Sequence, residues 1–152
     1  MTILTNMLFS FLAAASFGIM FNVPKSLLFK CGTVGMAGWM VYYFLSENKI
    51  DPLPSTVAAA FTIALIGHVY ARVYKTPVII FTIAGIIPLV PGGTAYRAMR
   101  SFVQNDYNTA INLAAKAFMI SGSIALGLIL SDVFYQLILR RKPAVTKASA
   151  RK

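Results

Sequence analysis

The stretch INLAAKAFMISGSIALGLILSDVFYQLIL, Ile111–Leu139, carries only two charged residues, Lys116 and Asp132, in a run that as a helix would measure over 40 Å. The hydrocarbon core of a bilayer is about 30 Å thick, so a helix with this content is a transmembrane element. Alternation with period two is absent here and in Leu12-Ala13-Ala14-Ala15 and Ile79-Ile80-Phe81, which excludes a β-barrel. Backbone groups in lipid must then be paired within helices.

Four more apolar stretches precede it: Thr2–Phe21, Ser26–Leu45, Pro54–Ala71 and Pro77–Val90. The first three are each long enough to cross. The fourth, about 21 Å as a helix, is too short unless it continues past its prolines or the bilayer thins. The expected fold is an all-α polytopic membrane bundle of about five helices, with spans at about 2–21, 26–45, 54–71, 77–104 (broken or partly re-entrant) and 111–139. These form a membrane domain, 1–140, followed by a basic tail, 141–152. Thr2–Phe21 has no basic residue before it and reads as a retained helix rather than a signal peptide.

Composition agrees. The chain is 58% hydrophobic and only 12% charged, where average soluble domains carry roughly 25% charged residues. Cys31 has no second cysteine to pair with. A formal charge of +10 would suggest nucleic acid in a soluble protein. Here the cations flank apolar runs, as topological charges do, and nucleic acid is not an expected partner. Lys25 with Lys30, then Arg72 with Lys75, then the tail from Arg140 mark one side; Glu47, Lys49 and Asp51 mark the other. The positive-inside rule places the N-terminus outside and the C-terminus in the cytoplasm. Arg97 and Arg100 are the exception, falling on the outer side with only Asp106 nearby. Tyr42, Tyr43, Tyr70 and Tyr74 sit where interfacial anchors belong.

Small residues at Ala14/Gly18, Gly32/Gly35/Gly38 and Ser123/Gly127 predict close helix contacts. No cluster of catalytic or metal-ligating residues is present, and no cofactor is expected: the chain has one His and one Cys. The polar and helix-breaking groups are sharper signals. Asn22-Val23-Pro24-Lys25 ends the first span. Ile87-Pro88-Leu89-Val90-Pro91-Gly92-Gly93 breaks the fourth, since a helix cannot pass two prolines undisturbed. The paired glycines add backbone freedom there. Broken membrane helices mark transport sites, where half-helix ends meet charged substrates. Arg97 and Arg100 follow three residues apart on a helix expected to begin near Thr94, with Thr94 as its cap; they line an anionic route, bind lipid phosphates or pair with Asp106. His68 and Asp132 are candidates for coupling or interface roles.

The segment Gly18–Lys25, with Gly35 and Gly38-Trp39 after it, resembles the opening of the C-terminal membrane domain of the threonine/serine exporter family. Ile87–Gly92, followed by Ala95-Tyr96-Arg97-Ala98-Met99, is similar to that family's second signature. One branch of the family fuses this domain behind another membrane domain; a second branch splits the two into separate proteins. The chain resembles the small subunit of the split form, whose best-known relative exports succinate in enteric bacteria with a larger partner. The resemblance implies an inner-membrane exporter half that works with a larger membrane subunit on threonine, serine or a dicarboxylate. Several copies of each subunit in one complex are compatible with it. Lys25, Lys30, Arg97, Arg100 and Lys116 near the polar segments favour the dianion. A structural or assembly subunit without a substrate site of its own is the alternative.

Overall fold

The computed structural model describes residues 3–140; the basic tail, 141–152, lies outside them. Six α-helices follow in order: α1 (Ile3–Met20), α2 (Lys25–Glu47), α3 (Pro52–Tyr74), α4 (Val78–Ile86), α5 (Gly92–Val103) and α6 (Tyr107–Arg140), with a 3₁₀ turn at Ile87–Leu89 between α4 and α5. The described chain is an all-α membrane bundle with one bent span. α1, α3 and α6 are each long and apolar enough to cross a membrane; α4 and α5, meeting at 53°, make a fourth if counted as one span. That is fewer than the five expected. α2 has the length, at 23 residues, but Lys25, Lys30, three glycines, Trp39 and two tyrosines dilute its hydropathy.

Four helices end in the same way, and none uses glycine. Asn22, Lys49, Lys75 and Asn105 have φ of 55°, 58°, 52° and 61°. After α1, the Val23 N–H donates to Gly18 O and the Asn22 N–H to Ile19 O, each at 3.0 Å. These paired bonds of a Schellman motif satisfy carbonyls that the helix end leaves open. Asn tolerates the left-handed region well, whereas Lys49 and Lys75 adopt it without that help. The turn then leads directly into α2, which starts at Lys25 with Pro24 as its flanking residue.

The centre lies where α2, α3 and α4 meet. Phe81, Ile63, Val34 and Cys31 are fully buried there. Glycines make this approach possible, as their spacing predicts. A Cβ on Gly38 would collide with Ile63, one on Gly35 with Ala14, and one on Gly85 would stand 2.8 Å from both Ile63 and Val34. Tyr70 and Tyr74 set their rings against Phe81, at 5.7 and 6.4 Å between centroids. Beyond anchoring, they therefore close the core at that end.

α3 and α6 run parallel. Gly127 lies against Val57, Ala60 and Phe61, and His68 meets Asp132 further along both helices. Lys116, Met119 and Ile120 share a cavity with Asp51–Pro54 at the start of α3. With 34 residues, α6 is about 50 Å long, and its residues before Lys116 run roughly 13 Å past the first turn of α3. α5 folds back along this overhang, so that Ala95 and Phe102 line one groove with Ser121 and Ala110. The two form a hairpin projecting from the bundle.

Candidate functional site at the helix break

The break between α4 and α5 has identifiable causes. Pro88 cannot donate to the α-helical ladder, and the chain tightens into the 3₁₀ turn. Val90 is extended at φ −62°, ψ 128°, as expected of a residue before proline. α5 then starts at Gly92, two residues earlier than expected, with Thr94 inside its first turn and no side chain capping it. The Gly92 N–H turns back to Val90 O at 2.8 Å. As first-turn amides, those of Gly93 and Thr94 have no intrahelical acceptor. Neither glycine has positive φ, so they do not supply unusual backbone freedom. What they supply is space: nothing lies within 4 Å of a Cβ built on either.

This space is part of a cleft of about 240 Å³. Pro88–Pro91, Gly93, Thr94 and Arg97 form one wall, Trp39 and Tyr42 of α2 another, and Thr56 of α3 with Ile120 of α6 complete it. The Trp39 and Tyr42 rings lie 5.3 Å apart. Thr56 is buried, and its hydroxyl donates to Pro52 O at 2.7 Å. Among the described residues, Arg97 is the only charged one that lines the cleft. Its Nε makes a long 3.4 Å contact to Gly93 O, and no other described residue bonds the guanidinium. Two uncapped amides and a guanidinium on one helical turn suit a carboxylate: the helix N-terminus attracts negative charge and arginine pairs bidentately.

The sequence candidates occupy separate places in the fold. Pro88, Pro91, Gly93 and Arg97 come together at the cleft, whereas Gly92 starts α5 beside it without lining it. Arg100, one turn further, is exposed and does not line it. Pairing with Asp106, one of the alternatives for these arginines, is not present among the described residues; Asp106 instead accepts from the Thr109 N–H at 3.2 Å and caps α6. Hydrogen bonding from the Thr109 side chain, and then from its N–H, holds the carboxyl below the ordinary aspartate range. Asn22, Pro24 and Lys25 form the α1–α2 turn, at the opposite end of α2 from the cleft. Lys30 belongs with that end too, its Nζ 5.6 Å from the Tyr74 ring. Lys116 lies beside the cleft, in a neighbouring cavity with Asp51 that shares Ile120.

His68 and Asp132 meet directly. Nε2 of His68 is 2.6 Å from Oδ1 of Asp132. Tyr135 stacks on the imidazole with centroids 4.2 Å apart, and Arg72 lies 6.0 Å from the Tyr135 ring. The imidazole is largely enclosed, whereas the Asp132 side chain is 58% exposed on the bundle's outer face. Sequence reading missed Trp39 and Thr56 as cleft residues and Tyr135 as a partner of His68. Only Trp39 had a signal, lying one turn from Tyr42 on the same helix.

The whole-chain comparison now bears on this geometry. Residues 6–134, from α1 into the last turns of α6, match the family described as Threonine/Serine exporter, ThrE. The chain belongs to the threonine/serine exporter family. An uncharacterized protein of Haemophilus influenzae strain Rd is 31% identical to it over 151 residues, covering 94% of this chain and 50% of the relative. The chain thus spans about half the length of the curated relative it matches. No solved structure matches. Membership of an exporter family supports a transport role in place of catalysis, and among the described residues no group of His, Cys, Asp and Glu could hold a metal ion.

Proposed function

We propose that this exporter-family chain is a subunit of a two-component inner-membrane exporter of small carboxylated metabolites, and that the substrate carboxylate binds in the cleft at the α4–α5 break. The observation that carries this reading is the convergence of Arg97 with the uncapped start of α5. A dicarboxylate such as succinate is the favoured substrate, with threonine or serine as the alternative. The cation argument for a dianion rests mainly on Arg97, because Lys25, Lys30 and Arg100 lie away from the cleft. Lys116, in the adjoining cavity, supplies a second positive charge at its edge.

The family resemblance and the length of the Haemophilus relative, in which the matched region is only half the chain, support a larger membrane partner. With the N-terminus outside and the C-terminus cytoplasmic, the cleft lies towards the outer ends of α2 and α3. Substrate would leave from this side, and the hairpin would project outward.

Efflux from cells carrying Arg97→Gln, Arg97→Lys and Arg100→Gln, each normalised to assembled protein, tests the assignment. Arg97→Gln should abolish succinate export, Arg97→Lys should retain part of it, and Arg100→Gln should be near normal. Normal export by Arg97→Gln would remove the carboxylate from this cleft.

A further inference from the structure

The outer surface of α6 carries two adjacent stripes of different character. Leu126, Leu130, Val133 and Leu137 are all exposed and wholly aliphatic, as a lipid-facing surface should be. Beside them, at alternating spacings of four and three, run Gly122, Ala125, Ile129, Asp132 and Gln136, also exposed. Both stripes share the spacing of a left-handed helix seam, so composition distinguishes them. The second is the less suited to lipid. Gly122 has nothing within 4 Å of a built Cβ, so a second backbone can approach closely. Asp132 lies about 12 Å along the helix from Arg140, within the apolar run, and a carboxylate at that depth faces protein or water rather than acyl chains. His68 occupies Oδ1, and no other hydrogen bond reaches the carboxylate among the described residues. Towards the hairpin the same face opens into an apolar groove of about 490 Å³ that includes Phe118 and Ser121.

We infer that this seam is where the complementary membrane half of the exporter docks, through a helix that brings a hydrogen-bond donor or cation to Asp132. The inference rests on the two-component reading above. Its occupant is argued from the matched relative, which carries as much chain again beyond the matched half. A second copy of this chain fits poorly: in a parallel two-fold pair, residues at one level meet their own counterparts. Asp132 would then face Asp132, two like charges in a low-dielectric setting.

Photo-crosslinking in cells that contain the exporter's larger subunit tests the seam, with benzoylphenylalanine at Ile129 or Gln136 and, as controls, at Leu130 or Leu137. Adducts are identified by mass spectrometry. The seam positions should give adducts to the family's complementary chain, and the control positions none. Gly122→Ile, which meets no neighbour within this subunit, should abolish co-purification of the larger subunit while leaving the mutant chain folded and abundant. Adducts from the seam to a second copy alone, or to lipid alone, would overturn the inference. So would co-purification that survives Gly122→Ile, and in each case the two-component reading would stand. Absence of any family chain from the purified wild-type complex would instead defeat the two-component reading itself, and the docking seam with it.

Discussion

Gly127→Ala puts the packing between α3 and α6 to a quantitative test. A Cβ at position 127 would stand 2.5 Å from the Val57 carbonyl oxygen, 2.8 Å from Ala60 Cβ and 3.1 Å from the Phe61 nitrogen. Two of these three atoms are backbone, so no side-chain rotation relieves the clash. α6 must instead retreat by close to 1 Å, to the 3.4 Å of ordinary contact. The retreat would loosen Ala60 and stretch the 2.6 Å His68–Asp132 contact. Overpacking of this kind costs about 1–3 kcal/mol, and the helix preference of Ala over Gly returns about 1 kcal/mol. A net loss of up to about 2 kcal/mol is expected. The matched control is Gly122→Ala on the same helix, where the space is open; with no clash to oppose it, the helix preference of Ala should stabilise the isolated chain by up to about 1 kcal/mol. Unfolding in mixed micelles, followed by the fluorescence of Trp39, the chain's only tryptophan, measures both. A Gly127→Ala chain stabilised as much as the Gly122→Ala chain would refute the close approach of these helices.

Three further outcomes follow from the same contacts. His68→Leu should destabilise the chain by leaving the Asp132 carboxylate without its partner, and the added change Asp132→Leu should recover part of the loss; a double-mutant cycle should return a coupling of about 0.5–3 kcal/mol, and purely additive losses would count against the pair. Because hydrogen bonds from the Thr109 side chain and N–H lower the Asp106 pKa, the cap contributes fully above the unfolded aspartate range and is lost as pH falls through the lower folded value; amide exchange in the first turn of α6 should therefore quicken, relative to the intrinsic rate, in that acidic window, and a profile identical in Asp106→Ala would refute it. In a Cys31→Ser background, a cysteine at Asn48 should react with impermeant maleimide from outside and one at Ala150 only after the cytoplasmic face is opened; reaction of both from one side would overturn the orientation.

Much of this architecture was legible because run length and small-residue spacing report on local physics. Ile111–Leu139 is too long and apolar to be anything but a membrane helix, and Gly35, Gly38 and Gly127 lie where backbones approach. The Pro88–Pro91 break was legible for the same reason: a missing N–H acts on its own helix. Other features depend on partners far along the chain. Nothing local to His68 or Asp132 indicates that they meet. Trp39 and Thr56 enter the cleft only because α2 and α3 end at its level. The four helix ends were hidden because Asn22, Lys49, Lys75 and Asn105 occupy positions where glycine is the usual signal. α6 exceeded its expected start because Tyr107–Ala110 are helical through the Asp106 cap and the contact with α5, not through hydropathy. Arg97 and Arg100 read as an equivalent pair three residues apart, and only the cleft at the start of α5, which reaches the first and not the second, separates their environments.

The most direct measurement of the central claim is transport in proteoliposomes holding this chain together with the larger subunit of its exporter. Labelled succinate, threonine and serine are presented in parallel to wild-type and Arg97→Gln complexes of equal assembly. The account predicts that succinate moves only when both subunits are present, faster than either amino acid, and that Arg97→Gln abolishes the movement. Equal succinate flux through the wild-type and Arg97→Gln complexes, or none through a fully assembled wild-type complex, would contradict it.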